Sequence, residues 1–169
     1  SAPYFPINYD DVHADVVYAD SCGGIYTLGD IRITQIALSH PNQGMGYKFS
    51  ENGKNFIFLT DNELGYRHEG GMAREDYVEF CRDADVLFHD AEYRTEEYTK
   101  RQGWGHSTIE QAVDLALDAG VGKLGLFHHN QDHLDDEIDD MVFQCRQIIR
   151  DRGSKLECFA VYQMMELAL

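Results

Sequence analysis

Short apolar runs alternate along the chain with longer segments whose apolar residues recur at helical spacing. The apolar runs predict strands at 31–38, 46–50, 55–59, 84–88, 124–127 and 156–161. The helical spacing predicts helices at 73–83, 107–119 and 132–151. This pattern predicts an α/β fold in a single domain spanning 1–169, with 1–30 as an edge segment and 31–169 as the main body.

Local signals mark where two of these elements begin and end. Asn52-Gly53 between apolar runs predicts a tight hairpin turn. Ser107 is expected to cap the helix that follows it, with Glu110 closing a capping box. Gly120 is the expected end of that helix.

Charge and cysteine usage narrow the function classes. The chain has 169 residues, and 14 Lys+Arg against 30 Asp+Glu give a formal net charge of −16, so nucleic acid is not an expected partner of this chain alone. The four cysteines form no C-x-x-C pair, which favours reduced thiols and a cytoplasmic location. No apolar run approaches the ~20 residues of a membrane span.

Potential metal ligands follow four predicted strands: His40, Asp61, His89-Asp90 and His128. Imidazole nitrogen and carboxylate oxygen are ligands of Zn²⁺, and a bound ion can lower the pKa of a coordinated water to ~7. His106 lies at a helix start, where backbone N–H groups favour negative charge. The alternative, which spacing leaves open, is that these are ordinary hydrogen-bonding residues.

Neighbouring polar and aromatic residues give weaker signals. Asp132 and His133 follow His128 closely and are candidates for lining the mouth of a site. Trp104, Tyr66 and Tyr93 can stack on a base or ring, although packing beside the loop is the simpler interpretation.

Several segments together carry a family resemblance. They are His40 with Gly46-Tyr47, Thr60-Asp61, the run 85–91, Gly105-His106-Ser107-Thr108, the run 119–124, and His128. In this order they resemble the C-terminal half of the metallo-β-lactamase fold family, in particular its phosphodiesterase and ribonuclease Z-like branch. The resemblance implies an αββα sandwich of which this chain is the C-terminal portion.

The resemblance also implies roles for individual residues. His40 corresponds to a ligand of one metal ion, Asp61 to a carboxylate bridging two ions, and His128 to a ligand of the second. His106 corresponds to a proton donor or charge stabiliser at the scissile phosphate, with Asp90 as its acidic orienting neighbour. Two divalent ions are expected in the complete site, with Zn²⁺ in first place and Mn²⁺ or Fe as alternatives.

One family signature is missing from this sequence. No H-x-H-x-D-H run is present, and three ligands do not close a two-metal site, so this chain alone is expected to bind metal weakly or not at all. The sequence starts at Ser1 without methionine. A missing N-terminal segment or a second chain is therefore expected to supply the other ligands, and a homo-oligomer is also expected.

These observations predict a metal-dependent hydrolase that directs a metal-bound hydroxide at a phosphodiester or related ester. The acidic charge favours a small-molecule phosphoester, such as a cyclic or modified nucleotide, over transfer RNA. Two alternatives are a non-catalytic binding or assembly module on the same fold, and a thioester or lactone hydrolase on the same scaffold.

Overall fold

A computed structural model describes residues 25–169, which form one seven-stranded sheet. Its strands are β1 (Tyr26–Leu28), β2 (Ile31–Ala37), β3 (Met45–Glu51), β4 (Lys54–Leu59), β5 (Val86–Asp90), β6 (Lys123–Phe127) and β7 (Glu157–Ala160). They lie in the order of the sequence: β1 to β4 pair antiparallel, and β4 to β7 pair parallel. Residues 1–24 of the predicted edge segment lie outside the described residues. The rest of that segment contains β1, which forms one edge of the sheet, and β7 forms the other.

Helices connect the parallel strands, as such crossovers require. They are α1 (Arg74–Phe80), the single turn α2 (Thr95–Tyr98), α3 (Ile109–Asp118) and α4 (Asp135–Asp151). None of these helices is both long and apolar enough to cross a bilayer, in the part of the chain that the structure describes. The predicted α/β class is confirmed.

The turn between β3 and β4 follows the sequence signal. Asn52 and Gly53 have φ values of +50° and +77°, which is the conformation that a two-residue hairpin of this kind requires. The turn fixes the register in which Glu51 faces Lys54.

The predicted cap of α3 is wrong by one residue. The hydroxyl of Thr108, not Ser107, accepts a hydrogen bond from the Gln111 amide at 3.2 Å, and the Gln111 side chain accepts one from the Thr108 amide. The Ser107 hydroxyl instead donates to the Asn62 carbonyl at 2.6 Å and accepts from the Leu64 amide at 3.0 Å. Ser107 therefore ties the helix start to the loop after β4, a contact that local sequence does not reveal.

The two faces of the sheet differ in character because side chains alternate along each strand. One face packs against α1, α3 and α4 with fully buried aliphatic residues: Ile57, Leu59, Leu87 and Leu124. The other face carries a layer of partly buried aromatic rings: Phe49, Phe56, Phe58, Phe88, Phe127 and Phe159. The described residues thus form one sheet with one helical layer.

The core should therefore depend on one face of the sheet. Leu87→Ala removes a fully buried side chain between the sheet and the helices, and we expect it to lower the free energy of unfolding by about 2 to 5 kcal/mol. Tyr47→Ala, on the aromatic face with 36% exposure, should cost less. Chemical denaturation measures both, and an equal loss would contradict the assignment of the core.

Candidate metal centre

Four strands end at the same edge of the sheet. Strands β4, β5 and β6 run parallel, and β2 points in their direction because two antiparallel pairings separate it from β4. The residues that follow these strands therefore gather at one edge, where α/β sheets place their ligands.

Two imidazoles and two carboxylates meet there. Asp61, Asp90, His106 and His128 each offer one donor atom, and these atoms all lie within 4.8 Å of one another. Nε2 of His128 lies 3.0 Å from Oδ1 of Asp61. The rings of His106 and His128 stack with their centroids 4.4 Å apart.

The backbone at two of these residues is held in an uncommon conformation. Asp61 and His128 have φ values of +60° and +55°, a left-handed conformation that costs a non-glycine residue on the order of 1–3 kcal/mol. Such strain persists where surrounding structure imposes it, and it concentrates at functional sites. Here both strained residues turn toward each other at the sheet edge.

Asp90 and His106 form the best-ordered pair in the cluster. The Asp90 side chain is fully buried, and its Oδ2 lies 2.6 Å from Nδ1 of His106. Its Oδ1 accepts a hydrogen bond from the Ser107 amide at 3.1 Å. Burial opposes charge on His106, but the hydrogen bond and charge of Asp90, aided by Glu92, raise the pKa of this imidazole above its ordinary value.

Glu92 is a site residue that the sequence analysis missed. Its Oε2 lies 3.4 Å from Nε2 of His106 and 3.5 Å from Nδ1 of His128. Although burial favours the neutral acid, the two imidazoles hold the pKa of Glu92 below its ordinary value. The sequence does carry a signal for Glu92, because residues i and i+2 of an extended segment lie on the same side, and Glu92 is two residues after Asp90.

The Glu92 carboxylate also acts on His128. It raises the pKa of His128 to about 9, against the effect of burial and with help from the charges of Asp90 and Asp61. The ring is therefore positively charged at neutral pH when no cation competes with the proton.

His40 lies beside this cluster rather than within it. Its ring centroid is 5.5 Å from that of His106, and its Nδ1 accepts a hydrogen bond from the Asn42 amide at 3.2 Å. Burial lowers the pKa of His40, which favours the neutral form that binds metals. Gly105, at φ +103°, backs the ring so closely that a Cβ there would overlap it.

His89, another of the predicted strand-end residues, has a structural role. It is fully buried, and burial lowers its pKa. Its Nδ1 lies 2.6 Å from the Asp90 carbonyl, and its Nε2 lies 3.1 Å from the side-chain nitrogen of Asn62. Asn62 also accepts a hydrogen bond from the Ser39 amide, so His89 and Asn62 join the loops after β2, β4 and β5.

A cavity of about 430 Å³ opens beside the cluster. Its lining includes Glu92, Tyr93, Arg101, Trp104, His106, His128, Asn130 and Asp132. The structure thus places Asp132 at the cavity. His133 does not line it, because its Nε2 is bonded to Glu97 at 2.9 Å and its side chain is nearly buried.

The three aromatic candidates have different environments. Tyr93 is 1% exposed and packs in the interior, whereas Trp104 is 61% exposed at the cavity. The expectation that Trp104 packs beside the loop is therefore wrong. Tyr66 is 48% exposed, and its ring contacts His68 away from the cavity.

The donor set suits a divalent metal ion. Imidazole nitrogen and carboxylate oxygen are ligands of Zn²⁺, Mn²⁺ and Fe. Asp61, Asp90, His106 and His128 bring two such nitrogens and two such oxygens within 4.8 Å of one another. The residues therefore fit the metal that the resemblance implies.

Parts of this chain are similar in sequence to known proteins. A family model described as the Beta-lactamase superfamily domain matches residues 5–129. Ribonuclease Z of Haloarcula marismortui is 30% identical over 76 residues, which are 45% of this chain and 22% of that ribonuclease.

Two solved structures share its fold. The metallo-beta-lactamase fold protein YhfI from Bacillus subtilis superposes with a TM-score of 0.65 and 16% identity, over 86% of this chain and 52% of that one. The short form of human tRNase Z superposes with a TM-score of 0.58 and 19% identity, over 86% of this chain and 47% of that one. Both support the predicted fold class, and this chain spans about half of either structure.

The dependence of the His128 pKa on Glu92 can be tested by substitution. Since Glu92 is the main cause of its raised pKa, Glu92→Gln should lower the midpoint from about 9 toward the ordinary value, and Glu75→Gln on the exposed side of α1 should not. The charged ring stabilises the metal-free fold fully below the unfolded pKa, and this contribution is lost as pH rises through about 9. NMR titration of the ring in chelator-treated protein measures the midpoint, and no shift in Glu92→Gln would refute the assignment.

The close contact between Gly105 and the His40 ring can also be tested by substitution. Gly105→Ala and Gly103→Ala both place alanine at positive φ, but only the first meets the His40 ring. We expect each to lose about 1 kcal/mol or more of stability and only Gly105→Ala to move the ring resonances of His40. Thermal denaturation and NMR test this, and an unmoved His40 in Gly105→Ala would contradict it.

Proposed function

The chain belongs to the beta-lactamase superfamily and resembles its ribonuclease Z-like branch, and from this premise we propose that it is a metal-dependent hydrolase of a phosphodiester or related ester. The observation that carries the proposal is the convergence of donor atoms from Asp61, Asp90, His106 and His128 within 4.8 Å. Asp90 is the last residue of β5, Asp61 and His128 follow β4 and β6, and His106 precedes α3, so the arrangement depends on the whole sheet edge.

Separate residues serve metal binding and proton transfer in this proposal. Asp61, His128 and the adjacent His40 would hold the divalent ions, Zn²⁺ first among them, with Mn²⁺ or Fe as alternatives. When bound, two such ions would supply the positive charge that acidifies water and polarises a phosphoryl oxygen. The Asp61 carboxylate would be the ligand that both ions share, as the resemblance implies, since it has two oxygens.

His106 is the proposed proton donor. Asp90 accepts the Nδ1 proton of His106, which fixes the ring orientation and leaves Nε2 toward the cavity. The raised pKa of His106 favours the protonated ring that a proton donor requires. From Nε2 this proton can pass to the leaving oxygen of the substrate as the phosphoester bond breaks.

The substrate proposed here is a small phosphoester. The sequence relative named above is a ribonuclease, which supports phosphodiester chemistry. A formal charge of −16 disfavours a polyanion on this chain alone. The free thiols of Cys81, Cys145 and Cys158 are buried, which fits a cytoplasmic site of action.

The remaining metal ligands are proposed to come from a further segment or a second chain. The sequence holds no H-x-H-x-D-H run. The side chains of Asp61 and His128 are 46% and 36% exposed, so the metal-facing side of the cluster remains accessible to additional donors.

Two substitutions separate the proposed roles. His106→Ala should lower kcat by ~10²- to 10⁴-fold and leave metal content unchanged, because His106 handles the proton. Asp61→Asn should lower metal content, and His133→Ala, away from the cavity, should change neither. Hydrolysis of bis(p-nitrophenyl) phosphate and elemental analysis of the purified natural assembly measure both quantities.

Two outcomes would overturn the proposal. Loss of metal in His106→Ala would mean that this ring is a ligand rather than a proton donor. A folded natural assembly that takes up no Zn²⁺, Mn²⁺ or Fe would favour the non-catalytic module instead.

A further inference from the structure

Trp104 holds an unusual position for the only tryptophan of the chain. Its side chain is 61% exposed, although an indole in water loses the stabilisation that burial gives. It lines the same cavity as His106 and His128. A large flat apolar surface is therefore presented beside the candidate metal centre.

A buried carboxylate holds the backbone on both sides of Trp104. The side chain of Glu63 is fully buried. Its Oε1 accepts a hydrogen bond from the Gly103 amide and its Oε2 one from the Gly105 amide, each at 2.7 Å. A buried carboxylate is costly unless donors satisfy it, and these amides do so on either side of the indole.

Two more groups complete the environment of Glu63. The Tyr98 hydroxyl donates to Oε1 at 2.6 Å, and Nε2 of His68 lies 2.7 Å from Oε2. With its own amide bonded to the Arg101 carbonyl at 3.0 Å, Trp104 is anchored at three successive backbone positions. Its exposed position is thus imposed by the fold and is not a feature of a loose loop.

The cavity next to Trp104 combines a fixed cation with two carboxylates, those of Glu92 and Asp132. Arg101 is the one permanent cation among its described lining residues, and its guanidinium is held 5.2 Å from the centre of the Tyr93 ring. A volume of about 430 Å³ lies in the range of small-ligand sites. The cavity therefore places a flat ring surface and a fixed cation beside two imidazoles of the candidate metal centre, His106 and His128.

We propose that Trp104 stacks on the base of a nucleotide whose phosphate lies at Arg101 and the metal centre. The phosphate half of this proposal rests on the proposed function, whereas the base half rests on Trp104 and Glu63. The substrate class is then a nucleotide phosphoester, because its planar base suits the exposed indole and its phosphate suits the fixed cation.

Trp104 itself reports on the ligand, since no other tryptophan contributes fluorescence. The full chain is titrated with AMP, with ribose 5-phosphate as the same phosphate without a base, and with phenyl phosphate as a planar ring without a nucleobase. AMP should quench the fluorescence saturably and bind at least about fivefold more tightly than ribose 5-phosphate, as base stacking provides.

Variants locate the preference. By calorimetry, Trp104→Ala should remove the preference for AMP over ribose 5-phosphate, and Trp104→Phe should retain part of it. The control Phe143→Ala removes another exposed aromatic ring, on α4, and should leave the preference intact. Circular dichroism and thermal denaturation verify that each variant is folded.

The titrations are run with and without Zn²⁺ so that the two proposals can fail separately. Equal affinity for AMP and ribose 5-phosphate, or for AMP and phenyl phosphate, would overturn the nucleotide assignment even if the protein binds Zn²⁺ and hydrolyses esters. A Trp104-dependent preference for AMP without any uptake of Zn²⁺ by this chain would support base recognition, and the same result in the purified natural assembly would contradict the proposed hydrolase.

Discussion

The contact between Asp90 and His106 joins the end of β5 to the start of α3. The carboxylate is fully buried, so it is tolerable only because the imidazole and the Ser107 amide both bond to it. This requirement fixes the distance between strand and helix. It also sets the place of His106, against which His128 stacks, so the donor cluster depends on one buried polar pair.

The electrostatics of the cluster have a single origin. Asp61, Asp90 and Glu92 surround two imidazoles, and the same carboxylates that raise the pKa values of His106 and His128 would attract a divalent cation. Protons and metal ions therefore compete for one negative potential. The carboxylates around the two histidines therefore favour a bound cation even though they also raise the pKa values of the imidazoles.

Much of this arrangement could be predicted from the sequence, because strand ends follow from hydrophobic pattern. His40, Asp61 and His128 each follow an apolar run, and Asn52-Gly53 marks a hairpin from local conformation alone. Glu63, Glu92 and the Thr108 cap could not be predicted with the same ease. Glu63 accepts hydrogen bonds from amides some forty residues away in the sequence. Ser107 does not cap α3, because its hydroxyl bonds to the loop after β4. Both contacts depend on how distant elements approach in space.

The order of the strands also constrains when the centre can form during folding. The β3–β4 hairpin closes locally, but β5 and β6 join it through crossovers of about thirty residues each, and such non-local pairings form slowly. His128 follows β6, so the donor set is incomplete until β6 pairs with β5. Metal affinity therefore depends on a pairing between segments that are distant in the sequence.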